Sequence, residues 1–165
     1  MQAVIGTIGM VTATSVINSI TCLSSNVFTL VGYIKLTKNI YQNEIIKILN
    51  KTDIEATIKL LHTMITEIPT YYNTSISVVT ALKDVQEIIS SIEDELKEIH
   101  RKITYNNTLY FMSSWRSYDC KENLDSIEIK VNILDRRRDN LFKILEVFKN
   151  LSSSVNKEIL EKKID

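Results

Sequence analysis

Side chains able to do chemistry are few in this chain, and they are scattered. Two histidines, His62 and His100, and two cysteines, Cys22 and Cys120, are the obvious candidates for metal binding or nucleophilic catalysis. They do not form the short-range Cys/His pairs that tetrahedral zinc requires, and no glycine-rich loop is present to cradle a phosphate. No serine, histidine and carboxylate fall in a pattern that recommends a triad. The residues therefore predict a non-enzyme with no metal, no cofactor and no small-molecule substrate. Each histidine lies close to an apolar seam and reads as partly buried or interfacial. The cysteines read as free, buried thiols in a reducing compartment, because unpaired cysteine is usually interior.

Two clusters could act by binding instead. The stretch Tyr105–Tyr118, YNNTLYFMSSWRSY, holds five of the twelve aromatics and the single tryptophan. Tyr110, Phe111, Trp115, Arg116 and Tyr118 would make an aromatic–arginine patch suited to a protein partner or to the interfacial zone of a membrane. The alternative is a connecting segment whose aromatics close one end of a bundle. The run Asp135-Arg136-Arg137-Arg138-Asp139 tempts a phosphate-binding role, but its flanking acids neutralise it and predict a solvated, salt-bridged helix face. Arg138 sits where the local seam needs a hydrophobe, and is expected to pair with a carboxylate on another helix. Twenty basic residues balance twenty acidic ones, so the chain has no global attraction for nucleic acid.

Elements that would position these residues follow from composition and period. With three glycines and one proline in 165 residues, the chain favours long helices over a sandwich, a barrel or a disordered tail. From Val78 the apolar positions run Leu82, Val85, Ile89, Ile92, Leu96, Ile99 and Ile103, an unbroken four–three seam. It predicts a helix over 75–103, ending at Tyr105-Asn106-Asn107-Thr108, with Glu93 supporting Lys97 one turn on. Ile54, Ile58, Leu61, Ile65 and Ile68 repeat the pattern, opened by a Thr52/Glu55 capping box and stopped at Pro69. Residues 39–49 read as a further helical piece, continuing the first helix and broken near Asn50-Lys51. Leu124, Ile127, Val131, Leu134, Leu141, Leu145 and Phe148 predict a helix over 123–150, where Ser152-Ser153-Ser154 interrupts. Asp139 and Lys143 make a supportive pair on it. Narrow apolar stripes must bury one another, so the fold is all-α, an antiparallel bundle of about four long helices. Residues 1–151 form the bundle, and 152–165 a short charged C-terminal helix or tail.

The opening 34 residues carry no Asp, Glu, Lys, Arg or His and hold all three glycines. Val16, Ile20, Leu23, Val27, Leu30 and Ile34 form a four–three stripe, and Thr14, Ser15, Asn18, Ser25, Asn26 and Thr29 form the other face. A signal peptide would need a basic start, which is missing. A transmembrane span is long enough but interrupted by Asn and hydroxyls. A helix uncharged all round is usually interior, which predicts a central helix enclosed by the others with its Ser, Thr and Asn satisfied inside. A helix sheltered in the bundle and released to a membrane is the fourth possibility.

The glycine-containing apolar start Ala3-Val-Ile-Gly-Thr-Ile-Gly-Met-Val11, followed by a bundle of long helices, resembles the HeLo and HeLo-like domains. These are the membrane-targeting helical domains of fungal cell-death proteins, similar to the N-terminal four-helix bundle of the mixed-lineage kinase-like pseudokinase. The resemblance implies a membrane-engaging protein that inserts or oligomerises through Val4, Ile5, Ile8, Val11, Val16, Ile20, Leu23, Val27 and Leu30. The residues themselves point first to a helical interaction or scaffold module, cytoplasmic with access to a membrane, acting on a protein partner or on itself. The abundance of Ile, Lys and Asn and the scarcity of Ala point to an AT-rich coding genome, such as that of a large DNA virus.

Overall fold

A computed structural model describes residues 12–37, 42–69, 72, 75–108 and 120–161. They form five helices: α1 (Ala13–Leu36), α2 (Gln42–Lys51), α3 (Ile54–Thr66), α4 (Ile76–Thr108) and α5 (Lys121–Glu161). The structure is an all-α helical bundle. α2 and α3 act as one broken arm, so four arms pack together.

Local chemistry sets the ends of these helices. Thr12 caps α1, its hydroxyl oxygen accepting from the Ser15 amide at 3.3 Å while Ser15 Oγ donates to the Thr12 carbonyl at 2.8 Å. At the far end Thr37 turns extended, and its hydroxyl donates to the Tyr33 carbonyl at 2.8 Å. α1 therefore stops at Leu36 and does not run on into α2. The expected Thr52/Glu55 capping box does not form. Thr52 Oγ1 donates back to the Leu49 carbonyl at 3.2 Å, closing α2, and Asp53 becomes the N-cap of α3 in a left-handed conformation with φ 46°. Glu55 is taken instead by Lys35 at the end of α1.

Two expected breaks are absent. α4 continues through Tyr105-Asn106-Asn107 to Thr108, with Asn106 buried, and α5 continues through Ser152–Ser154 to Glu161. Asn and Ser are only moderately weaker helix formers than Ala, and neither stretch contains the Gly or Pro that would stop a helix.

Packing follows the seams. All eight α4 positions from Val78 to Ile103 are buried, as are Ile54, Ile58, Leu61 and Ile65 on α3. On α5 Leu124, Ile127, Val131, Leu134 and Leu141 are buried, while Leu145 and Phe148 are half-buried against the core. α1 lies chiefly against α4 and more lightly against α3 and α2, and α5 packs on α4 and touches α2 and α3. Each arm reverses the direction of the one before it. The reversal leaves α1 and α4 side by side and parallel. Ser19 meets Gln86 and Asn26 meets Glu93, each pair 67 positions apart, and Tyr33 meets His100 at the same offset. A constant offset over two heptads fixes both direction and register.

Candidate functional site

The α1–α4 contact is where the uncharged helix meets a charged one. Taking Ile20, Val27 and Ile34 as a positions, with Leu82, Ile89 and Leu96 as their counterparts, the three cross-helix pairs fall at g of α1 and e of α4. Those are the positions that meet across a parallel coiled coil. Each pair is a rung, one per heptad. Gln86 Nε2 donates to Ser19 Oγ at 2.9 Å, and Asn26 Nδ2 donates to Glu93 Oε1 at 3.0 Å. The Tyr33 and His100 rings meet edge to face, with centroids 4.2 Å apart.

Glu93 is the polar centre of this ladder. Its side chain is only 5% exposed, yet it serves both Asn26 and Lys97, the latter at 2.9 Å. The hydrogen bond from Lys97 to Glu93 also raises the Lys97 ammonium above its ordinary range. α1 thus supplies a neutral amide to a charge that belongs to α4. Two residues before Asn26, Ser24 is buried and its hydroxyl oxygen has no hydrogen-bond partner.

A second hub ties α4 to α5. Glu95 accepts from Lys130 at 2.6 Å, Ser126 at 2.8 Å and Asn123 at 2.7 Å, and Lys130 also donates to the Ser91 carbonyl at 3.2 Å. Burial pushes the Glu95 carboxyl up, but the bonds from Lys130, Asn123 and Ser126, with the lysine charge, outweigh it and hold it below 4.5. The interhelical arginine is Arg137, which donates to the Asp84 carbonyl and lies 3.5 Å from Glu87. Arg138, expected to pair across helices, pairs within α5, with Asp135 at 2.7 Å and Asp139 at 3.1 Å. Its fork reaches acids one turn back and next in chain, so it meets its charge locally without crossing the seam.

The face of α1 away from the bundle is the other notable surface. Thr14, Ser15, Asn18, Cys22, Ser25, Thr29 and Leu36 are exposed there, with Asn26 and Tyr33 exposed along its α4 edge, and none of the nine carries a formal charge at neutral pH. The enclosed central helix is therefore corrected. α1 is buried along one face only, that of Ala13, Val16, Ile20, Ser24, Val27, Val31 and Ile34. Ser15 and Thr29 donate to α1 or cap carbonyls, and Asn26 reaches Glu93 at the α4 edge of this face. Cys22 is exposed on this face and only Cys120 is buried, which corrects the expectation of two interior thiols.

Among the expected site residues, Val16, Ile20 and Val27 are buried against the bundle, and Leu23 and Leu30 are half-buried at its edge. Val4, Ile5, Ile8 and Val11 lie outside the described residues, as do Tyr110, Phe111, Trp115, Arg116 and Tyr118. Sequence reasoning missed the ladder, although a signal existed: Ser19, Asn26 and Tyr33, and Gln86, Glu93 and His100, are two polar series at heptad spacing beside their seams. Among the described residues no group of three His, Cys, Asp or Glu side chains is set to hold a metal ion. No protein-family model matches this chain, and no curated protein or solved structure matches it, so its function is read from the chemistry of its own helices.

Proposed function

We propose that this chain is a non-enzymatic helical interaction module that docks a protein partner on the outer face of α1. The supporting observation is that α1 presents nine exposed residues without a charge while its opposite face is packed away. An ordinary surface helix carries Lys and Glu there, which are expensive to desolvate. Neutral groups, some already bonded to their own backbone, cost far less to bury in an interface. Gly32 adds room for close approach, since a side chain there would meet nothing within 4 Å.

The test uses Cys22 as the attachment point for a photo-crosslinker. Adducts formed by the wild-type chain in cells are expected to disappear in the Ser25→Lys/Thr29→Lys variant, whose new charges lie on an exposed face. Identical adducts from both proteins, or none from either, would sink this reading.

Membrane engagement is the second reading. α1 is the one described helix long and apolar enough to cross a bilayer, with 24 residues and 28% of its most apolar window buried. Leaving the bundle would strip cover from Val16, Ile20, Val27, Val31 and Ile34. At about 1.5–3 kcal/mol for each buried aliphatic side chain, the five contribute roughly 8–15 kcal/mol that lipid must replace. Vesicle flotation discriminates between the two. Wild-type protein that floats, while a Ser19→Cys/Gln86→Cys disulfide staple of the first rung stays behind, would favour the membrane over a protein partner.

A further inference from the structure

The outer face of α1 has a seam and borders of its own. Asn18, Cys22, Ser25, Thr29, Gly32 and Leu36 step along it by four and three, and all but Gly32 are exposed. That is the spacing at which one helix packs on another, so the occupant that fits this face is a helix lying along α1. What such a helix must carry is set by the charges on either side of it.

On the α4 side the border is the row of b positions, outside the ladder of e positions. From Lys83 it runs through Ser90, Lys97 and Thr104, without an acid. At the offset of 67, Lys83 is level with Val16 and Lys97 with Leu30, two heptads or about 21 Å apart. On the α3 side Lys59 stands one turn beyond Glu55, and Thr66 follows a heptad later. Lys59 and Lys83 are exposed, and neither makes an ion pair among the described residues. The carboxylates nearby are already engaged. Glu55 is held by Lys35, and Glu93 is buried against Asn26 and Lys97. Asp94 lies 3.5 Å from Lys97, and Glu87 turns to Arg137 on α5.

Accepting α1 as the docking face, on which this rests, we propose that its partner is an acidic amphipathic helix of another protein. The apolar strip of that helix lies on the outer seam. Its flanking carboxylates reach Lys83 and Lys97 on one side and Lys59 on the other. Charges beside a helix–helix seam select the partner, and here the charges left unengaged along both borders are positive. A basic helix would meet its own sign on both flanks, and a neutral one would gain nothing from the lysines.

Two synthetic helical peptides as long as α1 test this, both with leucine at four–three spacing, one flanked by glutamate and its twin by lysine. Fluorescence anisotropy with the full-length chain should show the glutamate peptide bound about tenfold tighter than its twin. Lys59→Glu/Lys83→Glu, at exposed positions and checked for retained helicity, should weaken that binding roughly tenfold, whereas Lys59→Arg/Lys83→Arg should not. Raising the salt from about 0.1 M to about 1 M should also weaken it, as the screening length falls. Ser25→Gln/Thr29→Gln crowds the seam without adding a charge and should abolish binding. Equal binding of the two peptides, or of neither, overturns the acidic partner, as does indifference to Lys59→Glu/Lys83→Glu. Cys22 adducts at twice the mass of the chain would make the occupant a second copy and overturn it too. Each of these leaves the α1 docking face in place. A glutamate peptide indifferent to Ser25→Gln/Thr29→Gln binds elsewhere, and would remove the docking face along with its partner.

Discussion

Removing the Asn26 amide should cost more than its exposure suggests. Asn26 sits on the solvent side of α1, but its Nδ2 reaches Glu93, whose side chain is 5% exposed. In Asn26→Ala the carboxylate keeps Lys97, a partner 54% exposed and shared with Asp94. A hydrogen bond to a charged group contributes about 1.5–3 kcal/mol when its loss leaves a buried acceptor short. The expected destabilisation is therefore about 2 kcal/mol, or a fall in Tm of about 4–8 °C for a chain of this size. Urea unfolding followed by circular dichroism measures the first, and hydrogen exchange locates it. α1 amides should exchange faster in the variant, while those around Glu95 and Lys130 stay protected. The double replacement Asn26→Leu/Glu93→Leu removes both halves of the rung and should return to within about 1 kcal/mol of wild type, since apolar isosteres carry no stranded charge. An Asn26→Ala variant within about 0.5 kcal/mol of wild type, or a double variant as costly as its two singles summed, would refute the rung as a coupled pair.

Other expectations follow from single positions. Glu95→Gln should flatten the acid limb of stability: the depressed carboxyl stabilises the fold fully above 4.5 and loses that contribution as the pH falls through its lower folded value, so wild type and variant converge in acid. Measured from pH 7 down to pH 3, an unchanged gap would remove Glu95 as a titrating contributor. Ser24→Ala should raise stability by about 1 kcal/mol in denaturant unfolding, because the buried hydroxyl oxygen makes no hydrogen bond. Asp53→Gly should stabilise by about 0.5–1 kcal/mol, since Asp53 holds φ 46° and makes no capping bond that glycine would lose. A destabilised Gly variant would show that the side chain has a role beyond the turn.

Much of the fold is legible in the sequence because burial follows period. The α4 seam could be read residue by residue, since a four–three repeat admits one buried face on a helix. The ends were read less well. Asn106 and Ser152–Ser154 look like interruptions in one dimension, yet moderate helix propensities are overridden once the turns on either side continue. Thr52 fits a capping box by spacing alone, but the hydroxyl closes the helix behind it because Asp53 turns left-handed.

The candidate site divides along the same line. The sequence by itself determined that α1 has a stripe, that its other face is uncharged, and that Glu93 can support Lys97 one turn away. These are properties of a single helix, settled by spacing within one turn or heptad. Only the tertiary structure decided that α1 lies parallel to α4 at an offset of 67 residues, that Glu93 faces Asn26, and that the hydroxyl face looks outward. Relative register between helices depends on how side chains many positions apart interlock, and no local period encodes it. A charge-free helix reads as one made to be surrounded; packing left half of it facing out.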